Sequence, residues 1–210
     1  MQENIVGMAG IAATVPEEHS PVYGHRDIKS ILLDITRDSG YVDRILVLFQ
    51  PGTVEEGTEI TEGQRLIVMG QLQTYRDYST GHVAVFVWAS QITKAHDQVP
   101  EQNGINIIGT ITREPNYRTT PKGTEITEVI VSVPSVFAEG YSCRLPVITW
   151  SNNARTVKDW KVGDIIELTG RLQSREYTKK KEDGSREQLT TYEISAARVE
   201  MKEEYIACEE

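Results

Sequence analysis

The chain has 210 residues, of which 39% are hydrophobic and 25% charged, and a formal net charge of −9. This is the profile of an ordinary folded protein of one or two domains. It excludes a uniformly basic nucleic-acid binder, because neutralising phosphates takes positive charge, and the lack of any run of about 18 apolar residues excludes a membrane-spanning helix. Two cysteines, Cys143 and Cys208, are too few for a disulfide framework, so a reducing, cytoplasmic setting is expected. The opening stretch Met1 to Ala13 carries Glu3, no basic residue and only a short apolar run, which argues against a secretory signal.

Taken in order, the chain repeats itself at a shift of 99 or 100 residues, and a repeat of that length points to a duplicated domain. Asn4-Ile-Val-Gly-Met-Ala-Gly10, followed by Pro16, returns as Asn103-Gly-Ile-Asn-Ile-Ile-Gly109, followed by Pro115. Pro21-Val-Tyr-Gly24 returns as Pro121-Lys-Gly123, and Tyr41 to Val47 as Tyr141 to Val147. Gly63 to Gln73 returns as Gly163 to Gln173. Each unit reads as five strands, marked by β-branched and apolar alternation between turn residues. In the first they are Ile5–Thr14, Asp27–Arg37, Tyr41–Gln50, Gln64–Tyr78 and His82–Thr93, with hairpin signals at Asp38-Ser-Gly40 and Ser79-Thr-Gly81. In the second they are Ile105–Tyr117, Thr124–Pro134, Tyr141–Thr149, Asp164–Thr178 and Gln188–Val199. A short helix is expected over Asn152–Trp160, capped by Ser151 or Asn152 and stopped by Gly163. The matching slot in the first unit, Pro51–Glu62, holds two Gly and a Pro and reads as no helix. The expected fold is all-β: two tandem five-stranded OB-fold barrels, the second with a short helix between strands 3 and 4. The domains are expected at 1–97 and 103–201, joined by Ala95–Gln102 with Pro100, a linker short enough to keep the barrels close.

The most informative stretch is Gly163 to Glu200. Its first strand alternates, with Ile166, Leu168, Gly170 and Leu172 on one face and Glu167, Thr169, Arg171, Gln173, Arg175 and Tyr177 on the other. The turn holds Lys179, Lys180, Lys181, Asp183 and Gly184, with Arg186 beyond. From Arg171 to Arg186 six basic residues stand against three acidic, a local net of +3 on an acidic body. Guanidinium, aromatic ring and ammonium on one exposed strand suit a single nucleic-acid strand, the charges meeting phosphates and the ring a base. The alternative is a solvated hairpin whose Lys run keeps a sheet edge soluble. In the equivalent row of the first unit, Ile67, Met69, Gln71, Gln73 and Tyr75, the pair of Ile67 and Met69 does not suit water, which implies a surface covered by the other barrel or by another copy of the chain; the alternative is a register shifted by one residue.

The run from Asn103 to Val133, then Cys143-Arg-Leu-Pro-Val-Ile-Thr-Trp150 and onward to Tyr177, resembles the bacterial single-stranded DNA-binding protein family. The Cys143 to Ile148 segment, Val162-Gly-Asp164 and Gly170-Arg-Leu-Gln173 also resemble primosomal replication protein N. The resemblance covers about Asn103–Val199 well and Asn4–Thr93 only through the repeat. It implies aromatic rings that stack on bases and a long last hairpin that grips the backbone. By position Trp150 and Tyr177 fall on the family's stacking sites, Arg171 and Arg175 lie between them, and Arg113 and Arg118 border the first-strand turn where phosphates pass. Lys179, Lys180, Lys181 and Arg186 complete the implied interface. The family's central third-strand aromatic is replaced here, with Arg144 near its place. Its Gly/Gln/Pro-rich tail with an acidic, Phe-tipped end has no counterpart in Glu203 to Glu210, so general partner recruitment of that kind is not expected. The first unit keeps Tyr75, Arg76 and Tyr78 but no Lys run, and is assigned weak binding or assembly.

Among other residues, Trp150 reads as a surface ring, Trp160 as core, and Trp88, within Val85-Phe-Val-Trp88, as buried; Pro146 lacks a ladder donor and suggests an edge or bulge. Enzyme readings find no support. His19, His25, His82 and His96 show no metal spacing, no nucleotide-binding glycine motif occurs, and Asp34, Asp38 and Asp43 read as a solvated turn. No catalytic residue, metal or cofactor is expected. The expected partners are single-stranded DNA, with RNA as the alternative, a second copy of the chain as a dimer, and replication proteins, with no membrane. A competing reading makes the chain a protein-interaction adaptor of a replication or mobile-element complex.

Overall fold

The computed structural model describes residues 3–76, 83–180, 184 and 186–202. In chain order the strands are β1 (Glu3–Ala12), β2 (Glu17–His19), β3 (Ile28–Thr36), β4 (Val42–Phe49), β5 (Arg65–Arg76), β6 (Val83–Lys94), β7 (Gln102–Ile111), β8 (Asn116–Thr119), β9 (Glu125–Pro134), β10 (Ser142–Trp150), β11 (Ile165–Lys180) and β12 (Arg186–Lys202). One helix, α1 (Ser151–Val157), follows β10, and a single 3-10 turn, Pro51–Thr53, stands in its place after β4. The strands form one sheet in the order β2-β3-β4-β6-β5-β1-β7-β11-β12-β10-β9-β8. Additional β1–β3 and β7–β9 pairings roll each half closed. In both halves the third and last long strands run parallel, β4 with β6 and β10 with β12. These are two tandem OB-fold barrels. No helix among the described residues is long and apolar enough to cross a membrane.

The repeated glycines mark the places where backbones meet. A Cβ on Gly10 would sit 2.5 Å from the Asp34 carbonyl oxygen, and one on Gly109 2.6 Å from that of Ser132, at the two barrel closures. A Cβ on Gly70 would lie 2.2 Å from the Trp88 oxygen and one on Gly170 2.3 Å from the Ser195 oxygen, where the β5–β6 and β11–β12 registers shift by one residue. A bulge needs that close approach. The repeated Asn has an equally local cause. The Asn4 amide donates to the Leu72 carbonyl (2.7 Å) and accepts from the Leu72 N–H (2.9 Å), extending the β1–β5 ladder by a side chain. Asn103 does the same with Leu172, at 2.7 and 3.0 Å.

The two barrels share β1–β7 as an antiparallel ladder from Glu3↔Ile108 to Ala9↔Gln102. Their buried apolar side chains merge into one cluster that runs from Val6 and Phe49 through Ile105 to Val199. Flanking the ladder is a polar seam. Asp43, 1% exposed, accepts Arg37 Nε at 2.6 Å and Nη2 at 2.5 Å, and also the Ser174 amide of the other barrel at 2.8 Å. The carboxylate holds the Arg37 guanidinium above its ordinary pKa, and the guanidinium caps the Tyr41 ring at 4.6 Å. On the opposite side of the pseudo-twofold, Gln73 is fully buried, and its Oε1 accepts the Val136 amide (3.2 Å) and the Cys143 thiol (3.1 Å).

Several expectations change. Each barrel carries a sixth, short strand, β2 or β8, laid on β3 or β9; in the second unit the expected first strand is thereby divided into β7 and β8. Helix α1 ends at Val157, and neither Ser151 nor Asn152 caps it: Trp150 occupies the cap position with no side-chain hydrogen bond. Asp43 is not a solvated turn residue but a buried ligand of Arg37, while Asp34 pairs with Arg44 at 2.8 Å. Gln73 and Gln173, assigned outward, are buried. Trp160 lies in the core, 8% exposed, as its spacing predicts. The turn at Ser79–Gly81, Tyr78, His82, Cys208 and the segment 203–210 lie outside the described residues.

Gly170→Ala and Gly123→Ala separate close approach from left-handed backbone. Gly123 has φ +83 with open space around it, so alanine there should cost about 1–2 kcal/mol. At Gly170 the Ser195 oxygen must move, and the expected loss is about 3 kcal/mol or more, read as the fall in urea midpoint.

Candidate nucleic-acid interface

On the second barrel β10, β12 and β11 present one outward row. Cross-strand pairs Arg171↔Ser195, Gln173↔Glu193 and Arg175↔Thr191 bring side chains to the same face about 5 Å apart, with Gln173 and Ser195 buried within it. Parallel pairing of Ile148 with Ser195 joins β10 to that face. Trp150 closes β10 with its residue 37% exposed, and its indole N–H donates to Ser195 Oγ at 3.1 Å. An aromatic ring held by its edge keeps its faces for contact and loses little rotamer freedom on binding. Arg171 and Arg175 are exposed, and neither makes an ion pair among the described residues. A flat ring and two guanidinium groups with no ion pair among the described residues, all on one sheet, form the elementary equipment for stacking and phosphate contact.

The other expected site residues are distributed around this row. Arg113 is exposed beside β8. Arg118 is exposed but committed to Glu128 at 2.5 Å. Arg186 is exposed at the start of β12. The backbones of Tyr177, Lys179 and Lys180 continue the β11–β12 ladder through Lys180↔Arg186; their side chains, and Lys181 altogether, lie outside the described residues. Arg144 is exposed on β10. Pro146 pairs with Ile130 of β9, and the β12 pairing begins only at Val147, so its missing N–H interrupts no described β12 bond. Nearby, Tyr117 and Glu125 form a surface cluster. Arg155, then the Tyr117 hydroxyl, hold the Glu125 carboxyl below its ordinary range, and Lys158 stands 5.5 Å over the Tyr117 ring.

The corresponding face of the first barrel is closed. Tyr75, Phe86 and Trp88 occupy the strand positions of Arg175, Glu193 and Ser195. Phe137, from the loop after β9 of the second barrel, packs 5.0 Å from Trp88, 6.2 Å from Phe86 and 5.2 Å from His25. Tyr75 meets Phe86 at 5.5 Å and His19 at 5.7 Å. A tight turn from Val22 to His25 covers the rest; it sets Tyr23 at φ 48, and the Tyr23 hydroxyl donates to the Thr74 carbonyl at 3.0 Å. Trp88 is therefore half-buried beneath an interdomain lid rather than inside the barrel. Sequence reasoning missed Phe137, since a lone Phe in a Ser-Val-Phe-Ala loop reveals no partner. The available signal was three outward positions of one barrel all occupied by rings.

Met69 is exposed rather than covered by the second barrel, and Ile67 is half-buried. Met69 is 40% exposed and lies over Gly7, with Ile5 48% exposed on the neighbouring strand. They form an apolar patch on the flat face of β5-β1-β7-β11.

Residues 102–202 match the model of the single-strand binding protein family. The chain is 24% identical over 188 residues to a single-stranded DNA-binding protein of Deinococcus radiodurans, covering 78% of this chain. It is 29% identical over 106 residues to that of Bacillus cereus, covering 48% of this chain. In each case the match spans 60% of the relative's length. In fold the chain is similar to a deletion variant of the single-stranded DNA binding protein from Thermus aquaticus, with TM-score 0.74, 22% identity, and 100% of this chain and 98% of that chain covered. The wild-type protein aligns at TM-score 0.71. The match to the single-strand binding protein family thus falls on the second barrel, and the first barrel repeats its fold.

Proposed function

We propose that this protein binds single-stranded DNA, largely without regard to sequence, chiefly through the outer face of the second barrel and without catalysing a reaction. The observation that carries this reading is the alignment of Trp150, Arg171 and Arg175 on an open sheet whose counterpart in the first barrel is covered. Stacking on Trp150 supplies a base platform worth about 1–3 kcal/mol. Arg171, Arg175 and Arg113 supply phosphate charge, with the hairpin residues Tyr177, Lys179, Lys180, Lys181 and Arg186 extending the track. The acidic remainder of the molecule suppresses diffuse binding, so affinity rests on local charge and falls steeply with salt. The first domain, 1–97, serves assembly. The patch of Ile5 and Met69 supports a homodimer across the flat sheet, and the domain 103–201 carries the ligand in a cytoplasmic protein that works with the replication, repair or recombination machinery.

Quenching of tryptophan fluorescence by oligo-dT tests the reading. Trp150→Ala is expected to weaken binding by roughly 10- to 100-fold, as loss of one stacked base implies, while the melting temperature stays near that of the parent. Unchanged affinity would remove the ring from the interface. Arg171→Ala and Arg175→Ala are each expected to reduce the slope of log affinity against log salt by about 0.7; slopes equal to the parent's would show that these cations meet no phosphate. Phe137→Ala probes the closed face: it is expected to lower stability by about 2 kcal/mol and to shift Trp88 emission to the red, followed by thermal melting and emission spectra.

A further inference from the structure

Further along the same face the sheet dips into a cleft of about 170 Å³, lined chiefly by Arg113, Asn116, Glu128, Ile130, Pro146 and Glu193. This is well below the size of a drug-sized pocket and suits one ring. Its floor is apolar, made by the cross-strand pair Pro146↔Ile130. Glu128 is spent: Oε1 takes Arg118 at 2.5 Å and Oε2 takes the Asn116 amide at 3.2 Å. Glu193 is half spent. Gln173 Nε2 donates to its Oε1 at 2.7 Å; its Oε2 makes no hydrogen bond or ion pair among the described residues, and the Arg37 guanidinium of the first barrel attracts the carboxylate at longer range. Arg113, on the rim, has no ion pair among them either. Pro146 stands four residues from Trp150 on the same side of β10, about 13 Å along the strand, so a polynucleotide seated on the Trp150 ring reaches the cleft.

A carboxylate on a phosphate-binding face repels its ligand unless a donor meets it. Among nucleobases the donors that project from the ring are exocyclic amines. Cytosine carries one on a single small ring, and carboxylate side chains accept from it, whereas thymine shows a carbonyl and a methyl group at the same edge. The position is particular to the second barrel, since the first has the fully buried Phe86 there.

Building on the single-strand reading above, we infer that this cleft is a base-selecting subsite for an amine-bearing base, cytosine foremost. Glu193 accepts the exocyclic N–H, Pro146 and Ile130 pack against the ring, and Arg113 meets the adjoining phosphate. Binding is then nearly sequence-neutral along the face but has one discriminating position.

The test is direct competition between oligo-dC and oligo-dT of equal length at neutral pH, for the parent, Glu193→Gln and Trp150→Ala, with melting curves to confirm folding. The parent is expected to prefer dC about tenfold, the value of one hydrogen bond to a charged acceptor. Glu193→Gln is expected to bring the ratio close to one, chiefly by weakening dC, whereas Trp150→Ala weakens both and leaves the ratio in place. A parent that binds dT as tightly as dC, or a preference untouched by Glu193→Gln, overturns the subsite and leaves the single-strand reading standing. Binding of neither oligonucleotide overturns both.

Discussion

The antiparallel ladder between β1 and β7 is the constraint on which the rest of the molecule depends. Two barrels built from the same repeat could have been joined by a loose tether. Instead their first strands pair over seven residues, from Glu3↔Ile108 to Ala9↔Gln102, and one apolar cluster spans both. A continuous ladder fixes orientation as well as distance. It brings Asp43 against the Ser174 amide and Gln73 against Val136 and Cys143. The buried carboxylate is tolerable because the Arg37 fork and a backbone N–H satisfy it. Removing either partner would leave charge stranded at the junction.

That fixed geometry makes two similar barrels unequal. Phe137 leaves the second barrel and roofs the aromatic face of the first, while the equivalent residue of the first barrel, Arg37, brings the second face a charge within electrostatic reach of Glu193 rather than a ring. The asymmetry is written in side chains at equivalent strand positions. Tyr75, Phe86 and Trp88 want burial; Arg175, Glu193 and Ser195 tolerate water. One barrel has been turned toward cohesion, and the other keeps polar residues at the same positions. Much of the acid is carried elsewhere, on Glu55, Glu56, Glu59 and Glu62, while the β10–β11–β12 face holds Arg171 and Arg175 beside Glu193.

Much of this was legible in the chain itself. The repeat singled out Gly10/Gly109 and Gly70/Gly170, and the structure supplies the reason, an opposing carbonyl oxygen that leaves no room for a Cβ. The alternation of Ile166, Leu168 and Leu172 with Arg171 and Arg175 gave the faces of β11 because period-two patterning follows directly from the pleat. What escaped was long-range and polar. Gln73 and Asp43 sit at positions whose spacing predicts solvent; each has a hydrogen-bond partner in the neighbouring barrel, and no local pattern encodes a partner some 60 to 130 residues away, while Gln173 bonds Glu193 across its own hairpin. The cap of α1 escaped for a related reason, since Trp150 is placed by its bond to Ser195 on β12 rather than by capping propensity. The cleft was invisible because its walls come from four strands, β8, β9, β10 and β12, and from Arg113 in the loop before β8, none of them marked by a local pattern.

The central claim is that an unpaired strand lies on the second barrel and not on the first. Photocrosslinking of a bromodeoxyuridine-substituted single strand, followed by peptide mapping, tests it most directly. The account predicts adducts on peptides containing Trp150 and on the Arg171–Arg175 segment. Adducts concentrated on Tyr75 or Trp88, beneath the Phe137 lid, would contradict it.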